Sequence, residues 1–302
     1  DDGVPTAIMA EHYAQRAEAG LIVAEGAWPT VEGQAYNRQP GIATAAHVAG
    51  WRKVTDAVHA KGGRIVLQLM HSGRIGSRWI KPQGVRSVSS SAVQAKGQIW
   101  TDAQGMQDFD VPHALTTEEV RDAVQAHAQA AQRAMDAGFD GVELHGTSGY
   151  LCLQFLHSSS NQRTDAYGGG PEQRSRFAVE CLQAMSDAIG AQRVGLRLNP
   201  GNTFNDTSDS NSAQVHAVLM RQADQAGIAY LHIMRSVFDP SIDAFALARE
   251  NFGHNLILND GFDAVSAEQA LQEQQGAAVS FARHFIANPD LVKRMRLGLP
   301  LS

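Results

Sequence analysis

The feature that most restricts the fold of this chain is a rhythm. Short apolar runs recur, and an amphipathic stretch that stops at glycine comes before each of them. Residues 8–18 read as a helix stopped at Gly20, before the run Leu21–Ala24. Residues 46–60 read as a helix that ends at Lys61-Gly62-Gly63, before Ile65–Met70. A helix over 117–137 opens on a Thr116/Glu119 capping pair and ends at Gly138, before Gly141–Leu144. Helices over 172–189, 211–226, 241–252 and 264–274 end at or near Gly190, Gly227, Gly253 and Gly276. Runs 194–198, 230–234, 255–258 and 277–281 follow them, and a last helix is expected over about 288–297. Runs this short, mostly apolar and bounded by glycine, suit strands buried on both faces.

Buried strands alternating with helices require a parallel sheet with right-handed crossovers. An open doubly wound sheet commonly announces its ligand with Gly-x-Gly-x-x-Gly after the first strand, and no such turn occurs. The expectation is therefore a (βα)8 TIM barrel over 1–302 as one domain. Only seven strands are countable, so the first barrel strand is expected to be absent from the chain and the 302 residues to be part of a longer polypeptide. Residues 75–115 break the rhythm. They read as an insertion after the third barrel strand, with a hairpin around 84–101, over the C-terminal mouth.

Composition removes several function classes. The net charge of −6 argues against a nucleic-acid or anionic-membrane surface. No run approaches the 18 apolar residues of a membrane span, and a cytoplasmic location is expected. Cys152 and Cys181 cannot form a disulfide framework or supply four thiolates to an iron–sulfur cluster. The histidines show no metal-ligand spacing, so no metal is expected.

Barrel chemistry sits at the C-terminal ends of strands. Those ends offer Glu25-Gly26, Gln68 to His71, His145 to Tyr150, Arg197 to Pro200, Ile233 to Arg235, Asn259-Asp260-Gly261 and Ala282-Arg283. They hold no carboxylate pair at one mouth, as a glycosidase needs, and no evident Ser-His-Asp set. The last two groups follow the final strands, where barrels often bind phosphate on backbone N–H groups, and Arg283 could add a charged fork.

The segment from His145 to Leu156, His-Gly-Thr-Ser-Gly-Tyr-Leu-Cys-Leu-Gln-Phe-Leu, resembles the active-site segment of the old yellow enzyme family of flavin-dependent ene reductases. Leu67–Arg74, Asn161–Gly169, Glu172–Phe177 and Phe281–Leu291 continue the resemblance in one register along essentially the whole chain. The resemblance implies an FMN-containing barrel that moves hydride from NADPH or NADH to an electron-poor alkene. It implies that Glu25, Gly26, Gln68, Arg197, Asn259, Asp260, Gly261, Ala282 and Arg283 bind the cofactor. Gln68 would meet the polar edge of the flavin, and Arg197 would sit where negative charge collects on reduction. His145 would polarise the substrate, with Ser148 as a second catalytic donor acting through a water, Tyr150 would protonate its α-carbon, and Met70 would line the pocket with these three.

Five positions depart from the family pattern. Ser148 stands where Asn or His is usual, Met70 where an aromatic residue is common, and Leu153 where a polar residue is frequent. Asp260 and Ala282 stand where glycine is frequent. Two alternatives follow: a related barrel flavoenzyme acting on dienoyl thioesters or amines, and a truncated barrel that binds flavin without turnover. A homo-oligomer is compatible with either.

Overall fold

The computed structural model describes residues 2–302. Helix α1 (Ala7–Ala14) leads into β1 (Ile22–Val23), then α2 (Ala45–His59) into β2 (Ile65–Leu69). The insertion carries β3 (Val88–Ser89), β4 (Gln98–Thr101), β5 (Gly105–Asp108) and β6 (His113–Ala114). The alternation then resumes with α3 (Thr117–Asp136), β7 (Gly141–Gly146), α4 (Leu151–Leu156), α5 (Pro171–Ile189) and β8 (Val194–Leu198). It continues through α6 (Ser212–Gln225), β9 (Tyr230–Met234), α7 (Ala244–Asn251), β10 (Asn255–Asn259), α8 (Ala264–Gln272) and β11 (Ala278–Ser280). Helices α9 (Arg283–Ala287) and α10 (Leu291–Leu297) close the chain.

The main sheet has the seven expected strands, all parallel, in the order β1-β2-β7-β8-β9-β10-β11. Chain order equals spatial order, as a barrel requires and a doubly wound sheet forbids. Arg16, just past α1, donates to the carbonyls of Phe285 and Ile286, joining the region of the first strand to that of the last. Inside the curve, side chains from β2, β7, β9 and β11 join in one hydrogen-bonded chain. Outside it, Trp51, Phe139, Phe155 and Phe177 are fully buried between helices and sheet, each removing about 1.5–3 kcal/mol of apolar surface cost from water.

Four local expectations change. The hairpin lies at 98–108, not around 84–101: Gln98 pairs with Asp108 and Thr101 with Gly105. The chain reverses where Gly105 takes a φ of +69°, a conformation glycine adopts without a Cβ penalty. The last helix, α10, starts at Leu291 rather than about 288, and an unexpected short helix, α9, precedes it; Asn288 before Pro289 separates them, because a residue before proline is driven out of the helical region. The first helix ends at Ala14 rather than 18. The motif after His145 contains a short helix, α4, which the alternation does not reveal. The capping pair is present: Glu119 N–H donates to Thr116 Oγ1 at 3.2 Å, and Thr116 N–H donates to Glu119 Oε2 at 2.7 Å.

Gly195 on β8 has a packing reason. A Cβ there would lie 2.2 Å from Tyr230 Cζ, so the bare backbone makes room for the Tyr230 ring inside the barrel. Gly195→Ala should destabilise the protein by about 1–3 kcal/mol through overpacking, read as a lower urea midpoint at unchanged slope. An unchanged midpoint would show that the ring moves aside at no cost.

Candidate active site

The register of the sheet decides which side chains meet. Val142 pairs with Val194 and His145 with Arg197, and Arg197 in turn pairs with His232. Alternation then sends Glu143, His145, Arg197 and His232 to the barrel interior.

Glu143 is the hub and is fully buried. Its Oε1 accepts from Gln68 Nε2 at 2.7 Å and its Oε2 accepts from His232 Nδ1 at 2.9 Å. Burial alone would push this carboxyl up, but His232, Arg197 and the Gln68 amide outweigh it and hold the pKa at about 2. Burial lowers the His232 pKa, so the ring is neutral and carries its proton on Nδ1. Its Nε2 can then accept from Ser280 Oγ at 2.7 Å and from Arg197 Nη1 at 2.7 Å. Arg197 Nη2 donates to Asn259 Oδ1 at 2.7 Å, and Asn259 Nδ2 donates to Ser280 Oγ at 2.9 Å. One carboxylate, one guanidinium and their partners thus form a satisfied network.

His145 and Tyr150 meet beyond this network, with ring centroids 5.1 Å apart and planes nearly perpendicular. Thr147 N–H donates to His145 Nδ1 at 3.3 Å, which fixes the proton on Nε2. Burial and the Arg197 charge lower the His145 pKa to about 3, so near pH 7 it is a neutral N–H donor. The Tyr150 hydroxyl lies 2.9 Å from the Tyr36 hydroxyl, and burial pushes its pKa well above the usual phenol range. Ser148 sits in the left-handed region at φ +57°, and Asn205 Nδ2 donates to its carbonyl at 2.8 Å. Its hydroxyl makes no hydrogen bond among the described residues. Met70 and Tyr150 pack with Ile99 and Phe109, so the hairpin lies against the same mouth.

Other expected residues fall in two places. Gly26 is needed bare, because a Cβ there would lie 2.9 Å from Met70 Sδ. Glu25 is not drawn into the network: Tyr13 donates to its Oε1 at 3.0 Å, and its N–H donates back to the Tyr13 hydroxyl at 2.9 Å. Asp260 and Gly261 form a turn at φ +77° and +76°, while exposed Ala282 and Arg283 begin α9. Asp260 carries a carboxylate at this turn, where an anion needs the backbone side.

Two neighbours were not singled out by sequence. Arg235 follows β9, stacks over Phe245 at 4.8 Å and Phe262 at 5.4 Å, and brings its Nε to 3.4 Å from the Asp260 carbonyl. It puts a cation against the Asp260–Gly261 turn. Tyr36 lies in a loop whose contact with Tyr150 is tertiary, whereas Arg235 occupies a strand-end position that leaves a signal in sequence.

The donor set fits FMN. Gln68 keeps Oε1 free of any hydrogen bond among the described residues while Nε2 is tied to Glu143. Arg197 supplies a fixed cation inside the barrel, and the Asp260–Gly261 turn, with Arg235 against it, follows β10 beside the neighbouring β11, after which Ala282 and Arg283 come. Among the described residues, no group of three or more His, Cys, Asp or Glu is placed to hold a metal, and no helix is long and apolar enough to cross a membrane.

Comparison with known proteins agrees with this geometry. A relative in Leishmania infantum, named a probable flavin mononucleotide-dependent alkene reductase, is 43% identical over 100% of this chain and 84% of its own. A structure of morphinone reductase in complex with tetrahydroNAD superposes with a TM-score of 0.95 at 40% identity, over 100% of this chain and 84% of that one. The old yellow enzyme homologue from Zymomonas mobilis gives a TM-score of 0.95 at 36% identity, over 99% and 85% of the two chains. These neighbours are TIM barrels, and so is this fold. The model of the NADH:flavin oxidoreductase / NADH oxidase family matches residues 1–302, and this chain belongs to that family.

Proposed function

We propose that this protein is an FMN-dependent ene reductase that reduces enones, enals, nitroalkenes and maleimides at the expense of NADPH or NADH. The observation that carries the reading is the pairing of His145 and Tyr150 at one barrel mouth, with the His145 tautomer set by Thr147 N–H. The similarity to a protein named an alkene reductase and to a reductase solved with a nicotinamide analogue supports it.

FMN, when bound, supplies the hydride that the alkene receives. The chain does the rest. Gln68 would hold the polar edge of the flavin through its free Oε1, and Arg197 would offset negative charge gained on reduction. The Asp260–Gly261 turn, Ala282 and Arg283 would hold the phosphate, with Arg235 as a further cation. His145 donates Nε2–H to the carbonyl or nitro oxygen, which draws electron density off the double bond. Tyr150 gives the α-carbon its proton. Ser148 lines the pocket with a free hydroxyl and Met70 gives it a soft wall. The assembled donor pair favours turnover over a flavin-binding barrel that does not react.

Purified protein should be yellow, or should become so on addition of FMN. Under anaerobic conditions NADPH or NADH should bleach it, and an enone should restore the colour. A colourless protein that cannot be reconstituted overturns the proposal.

A further inference from the structure

Tyr150 presents a problem of supply. Its side chain is only 7% exposed, and burial opposes the phenolate left once the proton is gone. Something must return a proton. His145 is poorly suited, because its Nδ1 accepts from Thr147 N–H and its one N–H is needed by the substrate. The group in contact is Tyr36, whose hydroxyl lies 2.9 Å from that of Tyr150 and whose side chain is 39% exposed.

The Tyr36 loop is built to hold that contact. Gln39, itself buried, accepts from Ala35 N–H at 2.9 Å and from Tyr36 N–H at 3.4 Å. Its Nε2 donates to the Gly26 carbonyl at 2.9 Å, which fastens the loop to the end of β1. Arg38 fastens it to the hairpin turn through Asp102 at 2.6 Å.

We propose that Tyr36 is a positioning residue that carries protons from solvent to Tyr150, a role that rests on Tyr150 being the donor to substrate. When Tyr150 protonates the α-carbon, its O–H bond breaks, the new C–H bond forms, and the O–H electron pair stays on the Tyr150 oxygen. The Tyr36 proton moves to that oxygen across the 2.9 Å hydrogen bond. Tyr36 then takes a proton from water or a buffer acid. The net transfer is one solvent proton to carbon, with both phenols restored.

The test uses the FMN-loaded protein and rapid mixing, with each half-reaction followed separately. Tyr36→Phe should slow reoxidation by an enone about tenfold, less than the roughly 10²–10⁴-fold of a direct general acid, because Tyr150 itself remains. Bleaching by NADPH and FMN affinity, read from flavin fluorescence, should not change. In H2O/D2O mixtures the reoxidation rate of the parent protein should depend on deuterium fraction along a bowed curve, reporting two protons in motion. In Tyr36→Phe it should become linear, and imidazolium in the buffer should restore part of the rate. Parent-like rate and curvature in Tyr36→Phe overturn the relay. So does an equal loss in both half-reactions without rescue, which marks a structural part. The Tyr150→Phe protein separates the layers: if it is reoxidised as fast as the parent, the donor assignment beneath the relay fails instead.

Discussion

Tyr150→Phe should slow alkene reduction by two to four orders of magnitude, roughly the span general acid catalysis supplies, while flavin bleaching by NADPH proceeds at the parent rate. The split follows from what the hydroxyl touches. It lies beside His145 and is bonded to Tyr36. It makes no hydrogen bond to Gln68, Arg197 or the Asp260–Gly261 turn. Removing it deletes a proton source from the substrate side of the site and leaves the cofactor groups in place. The cost in stability should be small, because half-exposed Tyr36 can turn its hydroxyl to water. Rapid mixing of each half-reaction measures the split directly, and an equal loss in both refutes the donor role.

Glu143→Leu should be the most damaging single change to the fold. The substitution removes a fully buried carboxylate and leaves Gln68 Nε2, His232 Nδ1 and the Arg197 charge without it. Breaking a buried charged pair in this way costs about 3–5 kcal/mol. The same residue sets an acid limb. Its pKa is about 2 in the folded protein against an ordinary 4.5, so the stabilisation is fully present above pH 4.5 and is lost as pH falls through 2. Over that window the parent should lose roughly 3 kcal/mol from this group alone. The variant should show a flatter stability curve from pH 4.5 downward, measured by urea unfolding at each pH. A Glu143→Leu protein as stable as the parent at pH 7, with the parent's acid slope, would remove Glu143 from the centre of the network.

Much of this architecture is legible in the residues. The seven strands follow from apolar runs bounded by glycines, because a strand buried on both faces cannot carry polar residues without partners. The polar residues that interrupt those runs, Gln68, Glu143, Arg197 and His232, are the ones that find each other inside the barrel. The Thr116–Glu119 cap is legible because it is local. The hairpin lies later than expected because its strands are short, and the alternation in Gln98–Thr101, with Ile99 and Thr101 buried, marks the first of them. The α4 helix is short and buried on every side, so it has no amphipathic pattern to read. Tyr36 is illegible for another reason. Its importance lies in a contact 114 positions away along the chain, with Tyr150, and no local pattern encodes it. Glu25 has a partner that its strand-end position does not announce, the Tyr13 hydroxyl.

The ion pair between Arg38 and Asp102 bears on traffic rather than chemistry. Its side chains are 64% and 44% exposed, and such a pair contributes about 0–1 kcal/mol, close to thermal energy. The hairpin and the Tyr36 loop are thus latched to one another weakly, while Ile99 and Phe109 seat the hairpin firmly on Met70. Salt, which screens the latch and spares the seat, should loosen the Tyr36 loop from the hairpin while leaving the hairpin on Met70.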